Sequence, residues 1–221
     1  MKTFLKRAVE SITDPLSQLP IMSKYYDIEA LTEQLGDEDP EVHAAAIVTL
    51  VEIGEPAVPS LIQALGNVIW DVCDGAADVL AQIGEPAIPQ LIEALGDDIK
   101  HRRLNAADAL GRLREIAVPA LIDALGDSYQ PVRENAARAL AIMRESALAS
   151  VPFLINALRD EDVEVRTNVA VALAHLGKSA SDAVPALIAL LCDKSERVRE
   201  HAVFALEKIG TAEAERVLNR S

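Results

Sequence analysis

Few residues of this sequence have the types and spacing that catalysis or metal binding requires. The chain has 221 residues, with two cysteines and four histidines, and none of these forms a His-x-x-x-His or Cys-x-x-Cys pair. A structural zinc site needs about four such ligands in a compact arrangement, and nucleophilic catalysis needs a nucleophile beside a base. A glycine-rich phosphate loop is also missing from the sequence. The sequence therefore predicts no catalytic residue, no metal site and no cofactor.

The dominant feature of the chain is a block of residues that recurs along most of its length. Residues 56–66 return in similar form at 86–96 and 116–126, and two further copies begin near 149 and 182. One proline of the block recurs in steps of 30, 30, 33 and 33 residues: Pro59, Pro89, Pro119, Pro152 and Pro185. Self-similarity on this scale indicates a solenoid, in which each unit buries its apolar face against its neighbours.

Each repeat contains two helical segments. The recurring proline suits the first turn of the first helix, and we expect Gly66, Gly96 and Gly126 to end that helix in the left-handed conformation. The second helix carries an inward apolar stripe at helical spacing, as in Val132, Ala136, Leu140 and Met143. The predicted second helices span 40–53, 70–83, 100–113, 131–143, 163–176 and 196–209.

The fold class that follows is all-α, a right-handed solenoid of about six helix pairs over residues 25–210. Residues 1–24 are predicted to be an N-terminal capping helix or an arm, and residues 211–221 a C-terminal cap. The start of the chain has no continuous apolar stretch, so we do not expect a signal peptide. We expect no membrane span. Two cysteines in different repeats, Cys73 and Cys192, make a disulfide improbable and favour a cytoplasmic location.

Charge is distributed unevenly along the chain, whose formal net charge is −14. Residues 25–99 contain sixteen Asp or Glu and no Lys or Arg, whereas residues 101–221 carry sixteen Lys or Arg against seventeen acids. An acidic surface repels a phosphate backbone, so nucleic acid is not the expected partner. A protein with a basic or mixed-charge surface is the better match.

The motif Asp-x-x-x-x-Val-Arg-x-x-Ala-x-x-Ala-Leu recurs at 193–206, and a close version recurs at 160–173. Together with the Ala-Val-Pro-x-Leu-Ile-x-Ala-Leu segment, it resembles the HEAT-like repeats of the phycobilisome-lyase class, over residues 27–210. The resemblance implies a ladder of charge-assisted hydrogen bonds that links successive repeats. Its predicted members share two repeat positions six residues apart: Asp97 with Arg103, Asp127 with Arg133, Asp160 with Arg166, and Asp193 with Arg199.

Departures from the repeat pattern concentrate in the second and third units. Cys73 stands at the ladder-arginine position and Gly75 at a position that is asparagine in later repeats. Arg102 replaces an inward valine, so a buried guanidinium there needs a partner, for which we expect Asp71 or Asp74.

An apolar ridge is the predicted partner-binding surface. Ile69, Ile99 and Tyr129 occupy one repeat position at the start of three successive second helices, and Trp70 adjoins the first of them. Aromatic anchors with a charged border are typical of protein-binding surfaces. The expected acidic border consists of Asp71, Asp74, Asp78 and Asp108.

Three functions remain open on this sequence. The first is a non-catalytic adaptor that grips a protein partner with the inner face and rim of the solenoid. The second, implied by the resemblance alone, is a subunit of a phycobilin lyase or a phycobilisome assembly or degradation factor. The third is an iron–sulfur or metal-delivery accessory protein, suggested by the two thiols alone.

Overall fold

The structure is a computed structural model that describes residues 27–219, and the predicted N-terminal cap or arm at 1–24 lies outside this range. Every regular element within it is helical, so the all-α fold is confirmed. First helices carry odd numbers and second helices even numbers: α1 Ile28–Glu33, α2 Pro40–Ile53, α3 Val58–Ala64, α4 Trp70–Ile83, α5 Ile88–Ala94, α6 Lys100–Leu113, α7 Val118–Ala124, α8 Gln130–Met143, α9 Val151–Ala157, α10 Val163–Leu176, α11 Val184–Leu190, α12 Glu196–Ile209 and α13 Ala212–Leu218.

The six second helices begin and end where the repeat pattern predicts, to within one residue. Each packs against the first helix of its own repeat, and the second helices of adjacent repeats pack against each other. One repeat position supplies a fully buried leucine to every second helix: Leu50, Leu80, Leu110, Leu140, Leu173 and Leu206. Alanine fills the position four residues earlier in five of the six helices, where its small side chain allows neighbouring helices to approach closely.

Second helices end on a backbone with positive φ, as their terminal glycines predict. Gly54, Gly84, Gly177 and Gly210 have φ between 55 and 83°. The equivalent residues of the third and fourth repeats are Arg114, with φ 54° and ψ −137°, and Arg144, with φ 52° and ψ −125°. A side chain in this region is strained by about 1–3 kcal/mol. Two adjacent repeats therefore carry an arginine where glycine would be more stable.

The glycines that end the first helices are needed for a different reason, and the expectation of a left-handed conformation is wrong for them. Gly66, Gly96 and Gly126 are absent from the residues with positive φ. A Cβ at Gly66 would lie 3.1 Å from a guanidinium nitrogen of Arg102, and one at Gly96 would lie 2.9 Å from Val132 and 3.1 Å from Tyr129. At these two positions glycine makes room for side chains of the next repeats.

One helical stretch of the described residues, Gln130–Ala157, is long and apolar enough by composition to cross a membrane. It comprises α8, a 3-10 segment Arg144–Ser150 and α9, and the positive φ of Arg144 interrupts it. The bent pair Pro40–Ile53 and Glu55–Ala64 passes the same test only if it is read as one span broken by 115°. Leu140 and Leu154 are fully buried in the solenoid core, so the apolar character of the first stretch is explained by packing.

Candidate protein-binding surface

The ridge residues lie where the sequence predicts, at the starts of α4, α6 and α8. Ile69, Ile99 and Tyr129 are the N-cap residues of these helices, and Trp70 is the first residue of α4. Their exposed fractions are 53% for Ile69, 69% for Trp70, 43% for Ile99 and 51% for Tyr129. Four large apolar side chains therefore face solvent at one end of three consecutive second helices.

These apolar residues occupy positions at which a polar residue would stabilise the helix. In α2 and α10 the N-cap residues Asp39 and Asp162 accept hydrogen bonds from amides of the first turn. The N-caps of α4, α6 and α8 accept none with their side chains. Loss of such a cap costs about 0.5–2 kcal/mol. Three successive helices thus forgo a stabilising cap and expose an apolar side chain instead.

Part of the ridge also packs against the solenoid. The Tyr129 ring lies over Gly96, and Ile69 lies 3.6 Å from the place where a Cβ would stand on Gly36. Their amides are held by Asx turns, since Tyr129 N–H donates to Asp127 Oδ1 at 2.7 Å and Ile69 N–H donates to Asn67 Oδ1 at 2.9 Å. These two ridge residues are therefore held in place before any partner arrives.

The acidic border of the ridge is less negative than the sequence alone indicates. Arg112 of α6 bonds to both Asp74 and Asp78 of α4. Asp108 lies 3.9 Å from Arg138 of α8. Burial raises the pKa of Asp108, against the lowering effect of Arg138 and Arg112.

Only Asp71 of the predicted border has no ion pair within residues 27–219. Sequence reasoning missed Arg112 and Arg138, although Arg138 lies one repeat after Asp108, and Arg112 lies one repeat plus one or two helical turns after Asp78 and Asp74. That spacing places residues of adjacent second helices side by side, and it was the signal that could have identified them.

The arginines of the predicted ladder form two different sets of hydrogen bonds. Arg133 donates through Nε and Nη2 to the Asp160 carboxylate at 2.8 and 3.1 Å. Arg166 binds Asp193 in the same bidentate manner at 2.9 and 3.1 Å. Each arginine also donates Nη1 to backbone carbonyls of its own turn, Asp127 and Ser128 for Arg133. These two links join the fourth repeat to the fifth, and the fifth to the sixth.

The other two ladder arginines bind only their own turns. Arg103 Nη1 donates to the carbonyls of Asp97 and Asp98, and Arg199 Nη1 donates to those of Asp193 and Lys194. The bond from an arginine to the carboxylate of the next repeat occurs where the connection between the two repeats is longest. Arg144–Ser150 and Gly177–Ala183 have seven residues each, whereas Arg114–Ala117 has four. Both bonds between repeats therefore coincide with a connection that is three residues longer than Arg114–Ala117.

Arg102 does not pair with Asp71 or Asp74, so that expectation is wrong. Its guanidinium donates to Asp97 at 2.7 Å and to Gln63 at 2.9 Å, and it covers Gly66. The valine position it occupies points toward the end of the preceding first helix rather than toward α4. Asp97 therefore serves Arg102 with its carboxylate and Arg103 with its carbonyl.

The unusual residues of the second repeat have structural roles in packing. Cys73 is buried, its thiol donates to the Trp70 carbonyl at 3.1 Å, and burial raises its pKa. Gly75 packs against Leu35 and against the ring of His43. A Cβ on Gly75 would lie 3.3 Å from the Leu35 side chain. His43 Nδ1 bonds to the Leu35 carbonyl at 2.8 Å. Within the described part of the chain, no three His, Cys, Asp or Glu side chains group as metal ligands.

Comparison with known proteins identifies the repeat. A family model of HEAT repeats matches residues 28–111 and 151–220. A model of the PBS lyase HEAT-like repeat matches residues 102–127 and 132–160. No curated protein sequence matches the chain significantly.

Comparison with solved structures finds similar chains. An engineered protein is 26% identical, with a TM-score of 0.44 over 83% of this chain and 96% of that one. Kap121p is 16% identical, with a TM-score of 0.51 over 85% of this chain and 26% of that one. A Kap95p structure concerned with RanGDP is also 16% identical, with a TM-score of 0.51 over 90% and 32% of the two chains. The Kap121p and Kap95p likenesses support the solenoid fold alone.

Proposed function

The chain belongs to the HEAT repeat family, and on that premise we propose that it is a non-catalytic scaffold that binds a protein partner. Solenoids of this kind present extended surfaces that suit protein ligands. The observation that carries the proposal is the ridge of Ile69, Trp70, Ile99 and Tyr129. It exposes apolar side chains at three helix starts where capping residues would have been more stable.

The charge of the first half of the chain suggests which partner fits. Residues 25–99 contribute sixteen acidic side chains, and Arg112 neutralises part of this charge through Asp74 and Asp78. Asp71 follows Trp70 directly and remains exposed. A partner that brings an apolar pocket for the ridge and a basic or mixed-charge rim would match both features. We place this function in the cytoplasm and expect no nucleic acid in the complex.

The test is affinity capture from the native host with the parent chain and the double variant Trp70→Ala, Tyr129→Ala. The parent should retain a protein that the double variant loses, with at least about 2 kcal/mol of binding energy removed. Phe153→Ala is the matched control, because Phe153 is a half-exposed aromatic on α9, away from the ridge. Equal capture by the parent and the double variant would refute the ridge as the binding surface.

A second function rests on the match of residues 102–127 and 132–160 to the PBS lyase HEAT-like repeat. In this alternative the chain is a subunit of a phycobilin lyase, or a phycobilisome assembly or degradation factor, and its partner is a phycobiliprotein. Addition of bilin, alone and with an apo-phycobiliprotein subunit, tests it. A red-shifted absorbance that requires the chain would favour this alternative over the general scaffold.

A further inference from the structure

We propose that a second surface binds another copy of this chain. This surface, the Arg-Glu rim, consists of Arg114, Glu115 and Ile116 from the third repeat together with residues of the fourth repeat: Ile142, Arg144, Glu145 and Leu148. It lies where α6 and α8 end, whereas the ridge lies where these helices begin. The proposal therefore goes beyond the proposed function and does not depend on it.

The strained arginines are the first observation behind the proposal. Arg114 and Arg144 are the only non-glycine residues with positive φ among residues 27–219, and they occupy adjacent repeats. Neither donates a side-chain hydrogen bond nor forms an ion pair within that range. A cation favours a helix C-terminus, but Arg112 in the last turn of α6 already supplies one without strain. Within residues 27–219 of the single chain, Arg114 has only its attraction to the neighbouring Glu115 carboxylate, which does not require the strained backbone, and the Arg144 side chain has no bonded partner.

Local charge balance is the second observation. Two copies with a net charge of −14 repel each other, so association is favoured only where the surface is neutral. Residues 112–146 carry five arginines and five acidic residues, in contrast to the acidic first half of the chain. On the rim, an Arg-Glu pair occurs at the same position of two successive repeats, Arg114-Glu115 and Arg144-Glu145.

The rim also offers apolar surface and a groove. Ile116, Ile142 and Leu148 are among the exposed large hydrophobic residues. Ile116 and Leu148 belong to neighbouring 3-10 segments, Arg114–Ala117 and Arg144–Ser150, which contact each other. Ile142 and both Arg-Glu pairs line a groove of about 690 Å³.

The Glu115 carboxylate is held toward the fourth repeat, because it accepts a hydrogen bond of 2.5 Å from Ser146 Oγ. Two adjacent Arg-Glu pairs are complementary to themselves under a twofold axis. When the third repeat of one copy faces the fourth repeat of the other, Arg114 lies opposite Glu145 and Glu115 lies opposite Arg144. The twofold axis generates each contact twice, as an isologous interface requires.

The experiment compares charge-reversed variants by sedimentation velocity over a wide range of protein concentration. We expect the parent to form a reversible dimer. Arg114→Glu with Arg144→Glu, and separately Glu115→Arg with Glu145→Arg, should each weaken the dimer at least about tenfold through like-charge repulsion. An equimolar mixture of the two variants should form a heterodimer, because each then presents only the charge that the other lacks.

Circular dichroism and melting temperature establish that the variants fold. Arg114→Gly with Arg144→Gly provides a second measurement, since it should dissociate the dimer while raising the melting temperature of the monomer. A parent that stays monomeric at every concentration would overturn the proposal. So would charge-reversed variants that dimerise as well as the parent, or a folded mixture that yields no heterodimer. None of these outcomes bears on the ridge, whose variants Trp70→Ala and Tyr129→Ala should dimerise like the parent.

Discussion

Replacement of Arg166 by alanine should destabilise the solenoid far more than the same change at Arg103, although both occupy the same repeat position. The Arg166 side chain is 13% exposed and makes two hydrogen bonds to the Asp193 carboxylate and two to backbone carbonyls. Its loss leaves a nearly buried carboxylate without its cation, for which we expect about 2–4 kcal/mol. Arg103 bonds only to carbonyls of its own turn, so its loss should cost about 1 kcal/mol.

Urea denaturation of the two variants and the parent gives both values from the free energy of unfolding. The slope of that free energy against urea should be unchanged, so that the midpoints report stability. Arg199→Ala is a further control, because Arg199 also bonds only to its own turn. Equal losses for Arg166→Ala and Arg103→Ala would refute the inter-repeat carboxylate bond as the source of the difference.

Three further predictions concern single positions. Arg144→Gly should raise the free energy of unfolding by about 1 kcal/mol, because glycine adopts the positive φ without strain, and a fall in urea denaturation would contradict the backbone assignment. Ile69→Asp should raise the melting temperature by supplying an N-cap to α4 and should weaken partner capture, whereas lost stability would show that Ile69 is needed for packing. Burial raises the pKa of Asp193, but Arg166 and the Ser195 amide outweigh it and the pKa is lowered. The stability that this lowered pKa contributes is complete above the unfolded pKa of about 3.9 and is lost as pH falls through the folded pKa. Asp193→Asn should therefore reduce the loss of stability that acid titration measures.

Sequence reasoning was most successful where the repeat itself supplied the comparison. Six aligned copies located every second helix, because a position that is buried in one repeat is buried in the others, as Leu50 and Leu206 illustrate. The same alignment located the ridge, since Ile69 and Tyr129 deviate from a position that is otherwise Asp or Ser.

Sequence reasoning failed where a contact depends on how two repeats are stacked. Arg102 reaches Gln63 of the preceding repeat and Arg112 reaches Asp74 of α4, and these contacts depend on how adjacent repeats are rotated as well as on residue type. Gly96 illustrates the same limit, because the sequence marks a helix end but not the tyrosine ring that covers it. The strain at Arg114 is visible only as a backbone angle, although its mismatch with the glycines of other repeats was a signal.

The connections between repeats become longer after the fourth repeat, and we expect the two halves of the solenoid to differ in stiffness. The last three repeats are joined by two nearly buried guanidinium–carboxylate bonds, Arg133 to Asp160 and Arg166 to Asp193. Between the repeats that carry Ile69 and Ile99, the guanidinium–carboxylate bonds are those of Arg112 to Asp74 and Asp78, whose side chains are 30–50% exposed rather than nearly buried. Exposed ion pairs hold less firmly, so these two repeats depend more on apolar packing, which permits small sliding motions. Binding of a partner at the ridge should therefore bend the first half of the solenoid, while the second half keeps its shape. Hydrogen exchange should accordingly be faster in α4 than in α10.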